Sequence, residues 1–150
     1  MIICYIFELQ SKLRLSIQFG SQTIKTSYLV HTDILNSYHS TIDAEFAFNI
    51  IVSNPPYVRV LEKAEMQPNV LNFEPEIALF VDNEDPLEFY KAIVSFSQNH
   101  LLSKGSLYFE INEALGDTIV NLLKNNGFEK IELKKDIFGK NRMIKAIKNE

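Results

Sequence analysis

The sequence predicts an α/β protein in which helices pack on a layered sheet, and three features of its pattern point there. Two short apolar runs, FNIIVS at 48–53 and SLYFEI at 106–111, have the length and the β-favouring residues of strands. Two stretches with apolar residues at helical spacing alternate with them: Leu87, Tyr90, Ile93, Val94 and Leu101 in one, Ile119, Leu122 and Leu123 in the other. The segments FEKIELKKD and RMIKAIK then read as two strands joined by IFGKN and predicted to be antiparallel. Strands that alternate with helices in this way build one sheet with helices laid on it.

The chain has 150 residues, enough for one domain with a real core. Hydrophobic residues make up 46% and charged residues 23%, as in soluble globular proteins. The formal net charge of -4 gives no general attraction to nucleic acid or to an anionic membrane, so neither is expected as a partner. The single cysteine, Cys4, cannot close an internal disulfide, and no Cys/His cluster has metal-ligand spacing. A cytoplasmic location is expected. The opening MIICYIF is apolar but too short to span a membrane and lacks the flanks of a signal peptide, so it reads as a buried strand.

Residues 12–28 alternate polar and apolar around Gly20-Ser21, with Leu13, Leu15, Ile17 and Phe19 on one face, the pattern of a β-hairpin. From about residue 28 the pattern becomes strand, loop, strand, helix. Residues 48–53 read as a strand buried on both faces of a parallel sheet. Asp85-Pro86-Leu87-Glu88 has the spacing of a helix start, with Asp85 as cap. Gly105 is expected to end that segment, and Gly127 to stop the helix over 114–126 in the left-handed conformation. Phe89 and Tyr90 read as core or rim, and His31, His39 and His100 as surface or turn residues.

Asn54-Pro55-Pro56-Tyr57 follows the strand at 48–53 directly. Ligands of open α/β sheets sit beyond the carboxyl ends of strands, so a site is expected here. The residue before a proline is driven to extended backbone, and each proline fixes its own φ, so the segment has little entropy to lose. Prolines bring no N–H. The Asn54 side-chain oxygen and the Pro55 carbonyl can therefore accept both hydrogens of one planar NH2 group, with Tyr57 packed on its flat face. That suits methyl transfer to an amide or exocyclic amine. Two fixed acceptors turn the delocalised nitrogen lone pair toward an electrophilic methyl, by positioning and electrostatic preorganisation. A bare Pro-Pro more often only ends a strand; all four residue types in this context favour the site.

NIIVSNPPYV resembles the signature of S-adenosylmethionine-dependent methyltransferases that modify planar NH2 groups. NFEPEIALF (72–80), DPLEFYKAI (85–93), GSLYFEIN (105–112) and NNGFEKIELKKDIFGKNRMIKA (125–146) are similar, in order and spacing, to the HemK/PrmC family of release-factor glutamine methyltransferases. The resemblance covers about residues 28–148. It implies an incomplete Rossmann-like class I methyltransferase sheet, with residues 1–27 as a β-hairpin head foreign to the family and 28–150 as the C-terminal half of a methyltransferase domain. It implies transfer of a methyl from S-adenosylmethionine to the glutamine amide of the Gly-Gly-Gln motif in peptide-chain release factors, the expected protein partner.

By the same resemblance Asn54 and Pro55 hold the amide, Pro56 and Tyr57 lie against the substrate, and Glu74, before Pro75, belongs to a loop over it. Asn54 also falls beside the cofactor. Asp33 in HTDIL occupies the acidic position near the adenine, and reads equally well as a strand-end turn residue. Asp136, Gly139 and Arg142 match a final Asp-x-x-Gly-x-x-Arg hairpin with a structural role.

Three family features have no counterpart in the sequence: a helical release-factor-binding domain, a glycine-rich loop around the cofactor, and an acidic residue for its ribose. The five glycines are not clustered. In the family's sheet, the strand ending at Asn54 lies beside the strand that leads into the glycine loop. Here FNIIVS is therefore expected to be an edge, covered by the hairpin of the head within one chain or across a homodimer. Two other readings remain: an adenine N6-methyltransferase, against which Glu74-Pro75, the final hairpin and the net negative charge argue, and a non-catalytic module that keeps only the substrate loop.

Overall fold

In the computed structural model, which describes residues 3–5, 18–19, 22–23, 32–36, 47–66, 71, 73 and 75–150, one five-stranded sheet carries the fold. The strands in chain order are β1 (Ile3–Tyr5), β2 (Gln18–Phe19), β3 (Gln22–Thr23), β4 (Phe48–Ser53), β5 (Val58–Arg59), β6 (Phe80–Val81), β7 (Leu101–Glu110), β8 (Phe128–Lys135) and β9 (Asn141–Lys148). The helices are α1 (Glu76–Leu79), α2 (Glu88–His100) and α3 (Gly116–Asn125), with 3-10 turns at Val60–Glu65 and Glu113–Leu115. The main sheet has the order β1-β4-β7-β9-β8, while β2–β3 and β5–β6 are separate pairs. β1, β4 and β7 are parallel, and β9 runs antiparallel to both β7 and β8. The antiparallel β8–β9 pair is the one expected at residues 128–148.

Register rows explain the core. Ile51, Leu107 and Ala146 stand in one row and Ser53, Phe109 and Ile144 in another, and all six are buried. On the opposite face Ile50, Val52, Tyr108 and Lys145 are only half-buried. The expectation of a strand buried on both faces thus fails for β4, where Asn49 is exposed. The reason is that α2 and α3 touch each other and cover the same face. Tyr90, Ile93, Val94 and Phe96 of α2 and Ile119 and Leu123 of α3 are fully buried there.

Helix α2 begins at Glu88, three residues after the expected cap. The Asp85 carboxylate binds the Lys91 ammonium at 2.7 and 2.9 Å, and only its main-chain carbonyl accepts from Glu88 N–H. α2 runs straight into β7 without a loop. Lys148 Nζ donates to the Gln98 and Leu101 carbonyls at 2.6 and 2.7 Å, supplying donors where the helix ends. Gly105 therefore does not end the helix. It lies in β7, where the pairing with β4 jumps from Phe48–Leu101 to Ile50–Ser106. A Cβ there would sit 2.8 Å from Leu101 Cγ and from the Leu102 carbonyl oxygen, so the close approach demands glycine. Gly127 does act as the expected stop of α3, with φ 75°.

His100 is buried and stacks on Phe96 at 4.4 Å, which corrects its reading as a surface residue. It occupies the last inward turn of α2, where the apolar row continues to Phe48. His31 and His39 lie outside the described residues.

The edge of β4 is covered by β1, with Ile3, Cys4 and Tyr5 opposite Ile50, Ile51 and Val52. Within the opening apolar run, Ile3–Tyr5 is thus a strand. β2 and β3 pair with each other, Gln18 with Thr23 and Phe19 with Gln22, and so form the hairpin ladder expected around residues 20–21. Its strands stand apart from the main sheet, so the strand on the β4 edge is β1 and not the hairpin. Among the described residues no helix is long and apolar enough to cross a membrane.

Candidate active site

Ser53, the last residue of β4, pairs with Phe109, so Asn54 and Glu110 follow side by side at the carboxyl ends of two parallel strands. Asn54 is exposed, Pro55 is buried, and Pro56 and Tyr57 are half-buried. Among the described residues neither the Asn54 side chain nor the Pro55 carbonyl has a hydrogen-bond partner.

Everything after them is tied down. The Tyr57 hydroxyl donates to Glu110 Oε1 at 2.7 Å. Asn112 Nδ2 donates to the Tyr57 carbonyl at 3.2 Å and to Glu62 Oε2 at 3.0 Å, while Asn112 Oδ1 accepts from Ala114 N–H at 2.9 Å. Glu62 also accepts from the Arg59 main-chain N–H at 2.8 Å and from its guanidinium at 2.9 Å. Tyr90 donates to the Glu110 carbonyl at 3.1 Å and meets Phe109 edge-on at 5.2 Å. The turn is therefore held at its phenol, its main chain and its exit into the 3-10 helix.

Burial first, then the hydrogen bond and negative charge of Glu110, push the Tyr57 phenol up to about 12. At neutral pH it is a neutral donor to Glu110 and not a base. The Arg59 guanidinium on its carboxylate holds Glu62 below its ordinary range. A cleft of about 170 Å³ opens beside the turn, lined by Tyr57, Val58, Glu62, Met66, Asn112, Glu113 and Arg142.

Of the residues named from the sequence, Asn54, Pro55, Pro56 and Tyr57 come together at this strand end, while Glu74 lies outside the described residues. Asp33 forms a turn. Its carboxylate accepts from Leu35 N–H and from Asn36 Nδ2, both at 2.9 Å, and the Asn36 bond foremost lowers its pKa. Asp136 builds the β8–β9 turn, accepting from Phe138 and Lys140 N–H at 2.9 and 3.0 Å, with Gly139 at φ 80°. Its carboxylate also faces Arg142 Nε at 3.5 Å. Arg142 does more than serve the hairpin, because it lines the cleft. Glu110, Asn112 and Glu62 were missed. The strand-end rule that found Asn54 applies equally to Glu110 and Asn112 at the end of β7.

A methyl donor such as S-adenosylmethionine needs a cradle of backbone amides at its amino-acid end. The five glycines stand apart at 20, 105, 116, 127 and 139. Those in the described residues serve a strand kink, a helix and two turns, and no cradle forms there. Among the described residues no group of His, Cys, Asp or Glu is placed to hold a metal ion.

Parallel strands, an antiparallel pair at one side and a stiff Asn-Pro-Pro-Tyr turn at the end of β4 mark an incomplete class I methyltransferase fold. The chain is 52% identical over 106 residues to the release factor glutamine methyltransferase of Flavobacterium psychrophilum, covering 71% of this chain and 37% of that protein. It is 49% identical over 100 residues to that of Bacteroides thetaiotaomicron, covering 67% and 36%. It is 33% identical to that of Fusobacterium nucleatum across 95% of this chain and 43% of that protein. The chain is homologous to part of the release factor glutamine methyltransferases, and it spans between 36% and 43% of the length of these relatives. A solved protein-(glutamine-N5) methyltransferase (release factor-specific) from Alicyclobacillus acidocaldarius matches 69% of this chain and 50% of its own, with a TM-score of 0.43 and 20% identity. No family model matches.

Proposed function

We propose that this chain carries the acceptor side of a glutamine methyltransferase site, corresponding over residues 28–150 to the C-terminal half of the family's domain. Asn54 and the Pro55 carbonyl receive the side-chain NH2 of a glutamine, and Tyr57 packs beside it. The glutamine belongs to the Gly-Gly-Gln motif of a peptide-chain release factor. The observation that supports this most is the contrast within the turn: among the described residues the two acceptors at its start are unused, while Tyr57, Arg59, Glu62 and Asn112 are all engaged.

S-adenosylmethionine, when bound, supplies the methyl cation equivalent. The residues of this chain hold the amide so that its lone pair, and not its N–H bonds, faces that donor. The nitrogen needs no strong base before transfer, because its acidity rises once it is methylated. Tyr57, neutral and locked on Glu110, positions the amide and takes no proton. Asp33 at the adenine is the cofactor-side contact of this reading, and Glu74 is assigned to the loop over the substrate.

A chimera in which residues 48–146 replace the matching part of the Flavobacterium enzyme tests the proposal. It is expected to methylate the release-factor glutamine and to leave an adenine-containing duplex unmodified. In it Asn54→Ala should cut turnover by about 100-fold or more while donor affinity holds, since the lost acceptor acts only on the reacting nitrogen. Near-parental turnover in that variant rejects the role of Asn54.

A further inference from the structure

We infer that the turn between β8 and β9 is a docking point for the protein whose glutamine reaches Asn54, with Ile137 and Phe138 as its apolar anchors; this rests on the acceptor-site reading above. Ile137 is 92% exposed and Phe138 81%, and they are neighbours in sequence. Single exposed apolar residues are ordinary on protein surfaces. Two large adjacent ones at a functional edge mark an interaction site.

Their place in the fold supplies the occupant. Glu110, at the carboxyl end of β7, pairs with Met143 near the start of β9, so the turn preceding β9 lies at the same end of the sheet as Asn54 and Tyr57. The turn is bonded to the cleft itself. Lys140 Nζ reaches Glu113 at 3.0 Å and Asp136 reaches Arg142 at 3.5 Å, and Glu113 and Arg142 both line the cleft. On the other wall, just beyond Tyr57 and Arg59, Val60 and Leu61 are 50% and 58% exposed. Apolar side chains thus flank the cleft on both sides. A free amide would need neither flank. A loop of a folded protein, entering with its glutamine toward Asn54, would touch both.

The anchors are also preorganised. Asp136 accepts from two N–H groups of its own turn, and Gly139 takes φ 80°, so the tip is held before any partner arrives and little ordering remains to oppose binding. Lys140 and Arg142 face Glu113 and Asp136 at 3.0 and 3.5 Å, and Lys134 and Lys145 share the Glu132 carboxylate at 3.2 and 3.6 Å, so these four cations are held in ion pairs beside the apolar tip.

The test is fluorescence anisotropy of a labelled bacterial release factor titrated with this chain and with an Ile137→Ser, Phe138→Ser double variant. Both residues are solvated, so the variant should melt as the parent does. We expect its affinity to fall by about tenfold or more, as for interface anchors. Equal affinity of parent and variant overturns the docking role and leaves the acceptor-site reading standing. A parent chain that does not bind the release factor at all overturns both. Phosphatidylglycerol vesicles and analytical ultracentrifugation supply the other occupants: parent-only vesicle binding, or self-association lost in the variant, would give the tip to lipid or to a second copy and overturn the proposal.

Discussion

The Asn112 side chain donates to the Tyr57 main-chain carbonyl at 3.2 Å, joining residues 55 apart in sequence. The same amide reaches Glu62, and its oxygen caps the turn at Ala114. Asn112→Ala removes all three bonds at a part-buried place. It should cost about 2 kcal/mol, from a lost cap and unsatisfied partners. For a chain of this size that is a fall of about 4–8 °C in Tm. An unchanged thermal melt would remove Asn112 from this account.

Tyr57→Phe deletes the hydroxyl bonded to Glu110 and nothing else of the ring. A loss of about 1 kcal/mol is expected. Its ultraviolet titration should also lack one phenol that ionises near 12, against about 10 for an ordinary tyrosine. If the variant instead loses a phenol of ordinary pKa, the burial of Tyr57 and its bond to Glu110 do not persist in solution.

The Glu62 carboxyl is held below its ordinary pKa in the fold, chiefly by the Arg59 side chain. A depressed carboxylate adds stability that is present above its unfolded pKa and lost as pH falls through the folded one. The Tm gap between the parent and Glu62→Gln should therefore be constant above about pH 5.5 and close on acidification below the unfolded value. A gap that widens in acid contradicts the sign.

Two glycines should respond differently to alanine. At Gly105 the added Cβ meets backbone at 2.8 Å, so Gly105→Ala should cost about 2 kcal/mol through forced displacement. At Gly127 nothing lies within 4 Å, and only the left-handed φ of 75° is penalised, by about 1 kcal/mol. Denaturant melts that reverse this order would refute the steric reading of Gly105.

Removing residues 1–5 takes β1 from the edge of β4 and exposes Ile50, Ile51 and Val52 along an open ladder. Unprotected apolar edges pair with other chains. Light scattering should show self-association in the shortened chain, and a monodisperse, equally stable product would mean β1 protects nothing.

What could be read from the sequence was what depends on neighbours along the chain. The strand at 48–53, the stop at Gly127, the strand pair at the end and the turn at 54–57 each follow from local residue types. What escaped depends on pairing across the chain. Asp85 has a cap's identity, but Lys91 takes its carboxylate. Gly105 resembles a helix stop, yet the reason for glycine there is the approach of Leu101 and Leu102. His100 has no ligand spacing, and only the packing of α2 puts its ring on Phe96. The same limit hid Glu110 and Asn112. Their value to the site comes from the parallel register of β7 with β4, which no local pattern encodes.

β8 reaches the main sheet through β9 alone, because β9 lies between it and β7. The two strands therefore behave as a single clasp. Any fluctuation that frees β9 from β7 carries β8, the turn at 136–140 and Arg142 away together, and with them one wall of the cleft. Lys148, at the far end of the same strand, fastens that clasp to the end of α2. Opening the wall thus requires breaking the tie to the core helix, so that wall shares the lifetime of the whole sheet and not that of a surface loop.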